Sequence, residues 1–137
     1  MNERPEVAEL VGQWLAKAGN DLLNAEHTLG LGDECPWDTV CFHAQQCVEK
    51  CLKAVLTREQ IPFGKTHDLE ELRLLLPASL NLPASVADLA RLTPYATNVR
   101  YPGPWSYPDR NEAEWAVEVA RRVAQAVRAW TAGRWGR

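Results

Sequence analysis

The sequence of 137 residues has no apolar run approaching the roughly 20 residues that a membrane-spanning helix requires, so no span is expected. It also lacks a positive excess: 15 Lys and Arg stand against 18 Asp and Glu, giving a net charge of -3 and a pI near 5.6. Tight sequence-independent binding to a duplex rests on many phosphate contacts, and this balance argues against it while leaving room for a small local basic site. The opening Met1-Asn2-Glu3-Arg4-Pro5 has none of the charged-then-apolar order of a signal peptide, and a cytoplasmic protein is expected. No stretch alternates with the period of a strand, and no internal repeat is present. Histidine is scarce, with His27, His43 and His67 the full complement, so few side chains can move a proton near neutral pH.

What is present is helical periodicity. Ala8, Val11, Leu15, Ala18, Leu22, Ala25 and Leu29 recur at steps of three and four, which predicts an amphipathic helix from about Glu6 to Leu29, stopped by Gly30 and Gly32. Pro36 should open a second helix, with Val40, Ala44, Cys47, Val48, Cys51, Leu52, Val55 and Leu56 on one broad face, ending before Pro62 and pairing antiparallel with the first. Asp68 and Glu71 read as a capping box for a short helix through Leu76, and a further helix is expected from about Pro83 to Tyr95. Residues 100–108 hold three prolines and a glycine and must form a loop. Asn111, with Glu114 three residues on, should cap a last helix whose apolar face runs from Ala113 to Trp130. The fold class is therefore all-α: one domain over 1–137 with a core of about 6–132, an antiparallel up-and-down bundle of about four long helices plus a short one. Six tryptophans are more than so small a core easily absorbs, so some are expected in an interface.

Cys35, Cys41, Cys47 and Cys51 crowd into one segment. Cys47 and Cys51 lie one helical turn apart with parallel side-chain directions, a poor disulfide geometry, so reduced thiols are expected. His43, Cys47 and Cys51 share an i, i+4, i+8 spacing, but zinc would need a further ligand from elsewhere. Small side chains on a packed face are the simpler reading, and neither metal nor other cofactor is expected.

Three motifs recur in register with a known family. His43-Ala44-Gln45-Gln46-Cys47-Val48-Glu49-Lys50-Cys51-Leu52-Lys53-Ala54 reads as an "HxQQxxEKxLKA" helix; Thr66-His67-Asp68-Leu69 as a "THDL" turn; and Arg100-Tyr101-Pro102 as an "RYP" segment. Over roughly residues 10–130 the chain resembles the HEPN family, small helical domains tied to nucleotides and RNA. The resemblance implies a homodimer whose two copies face each other at a functional arginine, here Arg100. In the family's ribonucleases that arginine is followed by a histidine and then a tyrosine, giving metal-free cleavage: imidazole moves the proton while the arginine fork holds the phosphate.

Here the segment reads R-x4-W-x-Y, with Trp105 where the histidine would stand and Tyr107 beyond it. Indole has no proton to exchange near neutral pH, so the ribonuclease motif is degraded. The family resemblance then implies a protein that dimerises, binds nucleotide or RNA, and acts with a minimal nucleotidyltransferase in a module resembling toxin–antitoxin pairs, with Tyr107 as an AMP acceptor. The alternatives are a ribonuclease that draws its histidine from elsewhere, or a non-catalytic nucleotide-binding or scaffold bundle. Arg100, Tyr101 and Trp105 are candidate binding residues in the loop, against a reading in which Arg100 only stacks on a ring or pairs with Asp109. Glu49 and Lys53 form an i, i+4 pair on a polar face with Gln45, Gln46 and Lys50. Alone, such a face reads as solvated surface; within the resemblance, Gln46, Glu49, Lys50, Lys53 and His67 become candidate nucleotide or partner contacts. Taken without the resemblance, His67 reads as a turn-stabilising residue and His43 as half-buried packing.

Overall fold

The computed structural model describes residues 4–98 and 102–135. Val99, Arg100 and Tyr101 lie outside the described residues. These residues form five helices, α1 (Pro5–Leu29), α2 (Trp37–Arg58), α3 (Leu69–Leu74), α4 (Val86–Leu92) and α5 (Arg110–Trp135), with short 3-10 turns at Gly32–Glu34 and Thr93–Ala96. The described residues contain no strand, and none of their helices is long and apolar enough to cross a membrane.

The three long helices make the bundle. Trp14 of α1 sits beside Lys53 of α2, while Asp21 binds Lys50 and His43, so rising numbers on α1 meet falling numbers on α2 and the two run antiparallel. Helix α5 returns against α1 in the same sense: Arg121 reaches Glu26, and Arg128 reaches the carbonyl of Leu15. Helix α2 lies in the middle, packed by α1, α5, α3 and the Thr93–Ala96 turn. Its whole predicted face, Val40 to Leu56, is buried. On α1, Val11, Ala18 and Ala25 are buried and Leu15, Leu22 and Leu29 pack at the margin; the small residues let the helix axes approach closely. The apolar face of α5 is buried from Ala113 to Val127.

Several boundaries move for local reasons. Pro36 is the N-cap residue of α2, which begins at Trp37. Asp68 caps α3 through the amides of Glu70 and Glu71, but Glu71 accepts from Thr66 instead of closing the box, and α3 stops at Leu74. A full capping box occurs at Ser85 and Asp88, so α4 starts there and not at Pro83, and Pro94 helps convert its end into a 3-10 turn. Helix α5 is capped by Asp109, whose carboxylate accepts from the Glu112 amide at 2.8 Å, and not by Asn111. At the end of α2, Gln60 adopts φ 56°, and the bonds Ile61 N–H to Leu56 O and Gln60 N–H to Thr57 O complete a Schellman motif.

All four cysteines are free and buried. Burial, with the charges of Glu112 and Asp38, pushes the Cys41 thiol up to about 12, and a hydrogen bond with Cys51 together with burial drives that of Cys47 far up. These side chains act as small core residues. Among the described residues, no group of three His, Cys, Asp or Glu side chains is placed to hold a metal.

Candidate functional site

The sequence-predicted residues fall in two places. The first is a cleft of about 560 Å³ bounded by the start of α2 (Asp38), the α4 end and its 3-10 turn (Arg91, Pro94, Tyr95, Asn98) and the loop 102–108. Its volume suits a small ligand. Trp105 and Tyr107 line it, and so do Asn98 and Pro102, the described residues on either side of the segment that holds Arg100. Arg100 and Tyr101, named as site residues from the sequence, lie outside the described residues.

Tyr107 is 62% exposed, and its hydroxyl donates to Asp38 Oδ1 at 3.4 Å. Partial burial and then the negative charge of Asp38 raise its pKa, so the phenol keeps its proton at neutral pH. Asp38 stays fixed because the same oxygen accepts from the Thr39 amide at 2.8 Å. Trp105 is 39% exposed and folds back on the loop: a Cβ on Gly103 would lie 2.2 Å from its ring carbons.

Arg91 and Tyr95, which also line the cleft, belong to a chain of side chains that sequence reading missed. Arg91 donates to both carboxylate oxygens of Glu112 and lies 3.9 Å over the ring of Trp115, whose indole N–H reaches Asp88 at 3.3 Å. Tyr95 donates to Glu112 at 2.9 Å, and burial followed by this bond raises its pKa. For Asp88, burial opposes ionisation, but bonds from the Ser85 amide, the Trp115 indole and the Ser85 hydroxyl outweigh it, and the carboxyl lies below its ordinary range. Arg91, Tyr95 and Asp88 are 17 to 27 positions from their α5 partners Glu112 and Trp115 and share no motif with them.

The second place is the polar face of α2, and here the solvated-surface reading is corrected. Gln45 is fully buried, Glu49 is 4% exposed and Lys53 is 6% exposed. Glu49 gathers four donors: Lys53 Nζ at 3.0 Å, His67 Nδ1 at 2.9 Å, and the Gln45 and Gln46 amides at 3.3 Å. Lys53 also lies 5.8 Å from the ring centroids of Trp14 and Phe63. Gln45 donates to the carbonyl of His67 at 3.0 Å, so the predicted turn-stabilising histidine is held through both main chain and ring. The reason is geometric: α1 and the 61–67 connection pack over a face that, on an isolated helix, would meet water. Lys50 instead binds Asp21, which also takes His43 at 2.8 Å. Glu49 lies eleven residues beyond Asp38, about 16 Å along the helix, so this network does not enter the cleft.

No curated protein matches the chain. A HEPN-domain family model matches residues 11–130. Among solved structures, TT1696 from Thermus thermophilus is 31% identical with a TM-score of 0.71, over 87% of this chain and 96% of that one. ST0689, an archaeal HEPN homologue, is 25% identical with a TM-score of 0.68, over 88% and 96%. The helical bundle, the match over nearly its whole length and these two likenesses agree: the chain belongs to the HEPN family.

Proposed function

We propose that this HEPN protein is a cytoplasmic homodimer that binds nucleotide or RNA at the cleft and acts with a minimal nucleotidyltransferase in a module resembling toxin–antitoxin pairs. The observation that carries this reading is that the described members of the motif, Trp105 and Tyr107, converge on a cleft of ligand size whose rim includes both neighbours of the Arg100 segment. In the proposal Arg100 and Tyr101 meet the ligand's phosphate and Tyr107 is the AMP acceptor, its hydroxyl directed by Asp38. Gln46, Lys50 and His67, which keep partly open surface on α2 and its following loop, serve as partner contacts, while Glu49 and Lys53 hold that surface in shape. A binding role is favoured over cleavage because no histidine is among the described residues that line the cleft.

Light scattering at micromolar protein, together with calorimetric titration of AMP, ATP and a short single-stranded RNA, tests the reading. A dimer that binds at least one of these probes is expected. A monomer that binds none leaves only the scaffold alternative.

A further inference from the structure

The loop wall of the cleft is organised around one aromatic plate. The six-membered part of the Trp105 indole occupies the space a Cβ on Gly103 would need, so residue 103 must be glycine for the ring to lie there. Pro102, Pro104 and Pro108 restrict the backbone on both sides, and Pro108 is buried. The ring is thus backed by main chain and still 39% exposed toward the cleft.

The facing wall offers donors. Arg91 is held by Glu112 and Trp115, yet a guanidinium has five N–H groups and Glu112 takes two, leaving three for a ligand. Asn98 lines the same cleft and adds a side-chain amide. A π-face and hydrogen-bond donors lining one cleft suit a flat ring with acceptor atoms along its edge.

We propose that the cleft holds one unstacked nucleobase, of a free nucleotide or of single-stranded RNA, against the Trp105 plate, with Arg91 and Asn98 facing the acceptors at its edge. The proposal rests on the nucleotide-binding reading above and adds which part of the ligand is gripped. Trp105 is then a binding residue in its own right, at a position where an imidazole would have served proton transfer. Bases within a duplex are already stacked and cannot reach the plate, whereas single strands can splay one out.

Calorimetry of the full chain at fixed salt, with AMP, ribose 5-phosphate, hexa-adenylate and a duplex of the same length, tests this. AMP and hexa-adenylate should bind, and ribose 5-phosphate and the duplex should bind at least tenfold more weakly. Trp105→Leu should weaken AMP roughly 5- to 150-fold, the range that loss of one base–aromatic stack produces, while Trp105→Phe keeps most of the affinity. Gly103→Val, which displaces the ring but retains it, should match Trp105→Leu, with an unchanged thermal midpoint showing that the bundle is intact. If the protein binds AMP but ribose 5-phosphate binds equally well, or Trp105→Leu leaves AMP affinity unchanged, the stacking inference is overturned and nucleotide binding stands. If no probe binds, both fall.

Discussion

The carboxylate of Glu49, at the centre of α2, accepts from the ring of His67 at 2.9 Å and so ties the connection before α3 to the bundle core. A carboxylate can only accept, so Nδ1 of His67 carries the proton in this pair. Glu49 also partners buried Lys53, and removing its charge would strand an ammonium that is 6% exposed. Glu49→Gln should therefore cost about 3–5 kcal/mol in urea denaturation, the range for breaking one side of a buried ion pair. Glu49→Leu combined with Lys53→Met should recover most of that loss. A cost for Glu49→Gln below about 1 kcal/mol would show that water reaches Lys53 and that the network does not hold the fold.

Helix α2 ends in a left-handed residue that is not glycine. Gln60, at φ 56°, occupies the Schellman position and carries a Cβ into a region where it is crowded. Gln60→Gly should raise stability by about 0.5–1 kcal/mol, a rise in midpoint of roughly 2–4 °C for a domain of this size. Gln60→Val should lower it, because branching at Cβ sharpens the clash. A thermal melt that orders the three otherwise would place the strain elsewhere.

The helices were legible in the sequence because their apolar positions repeat with the helical period, and that period survives packing: the apolar positions that share one face of α2, from Val40 and Ala44 to Val55 and Leu56, are all buried. Ends were less legible, since Asp109 and Asn111 are equally good caps in isolation and the start of α5 decides between them. The polar face of α2 could not be read as buried, because that depends on α1 and Phe63 covering it from elsewhere in the chain. The motif delivered Trp105 and Tyr107 to the cleft, yet Asp38, Arg91, Tyr95 and Asn98 reach it only through tertiary packing. A lone Asp after Pro36-Trp37 or an Arg within Leu89-Ala90-Arg91-Leu92 carries no local signature.

Two acids at the junction of α2, α5 and the Thr93–Ala96 turn make the fold sensitive to alkali. Burial lifts the Cys41 thiol from 9.0 to about 12, and burial and the Glu112 bond raise the Tyr95 phenol. Raised values mean that the folded state holds these protons more tightly, so the stability they contribute is complete below pH 9 and declines as pH climbs through 9 to about 12. Each group can contribute a slope of up to about 1.4 kcal/mol per pH unit while it titrates only in the unfolded chain. Cys41→Ala with Tyr95→Phe should flatten the curve of unfolding free energy between pH 9 and 11, even though the variant starts from a lower stability. An equally steep curve would assign the alkaline loss to other groups.

The last prediction concerns chemistry at the cleft. With indole at position 105 and no histidine among the described lining residues, the described cleft has no imidazole to carry the proton, and the native protein should show negligible RNA cleavage. Trp105→His restores an imidazole on the loop wall, within the same cleft as Tyr107. A positioned proton carrier is worth roughly 10²- to 10⁴-fold in rate, so cleavage of a single-stranded RNA should become measurable. The same change removes the aromatic plate, so substrate affinity should fall as catalysis appears. Adding Arg100→Ala to Trp105→His should abolish the new activity if the arginine holds the phosphate as charge builds on it. Brisk cleavage by the native protein that Arg100→Ala removes would instead mean that another residue carries the proton, and the binding-only reading of Trp105 would be wrong.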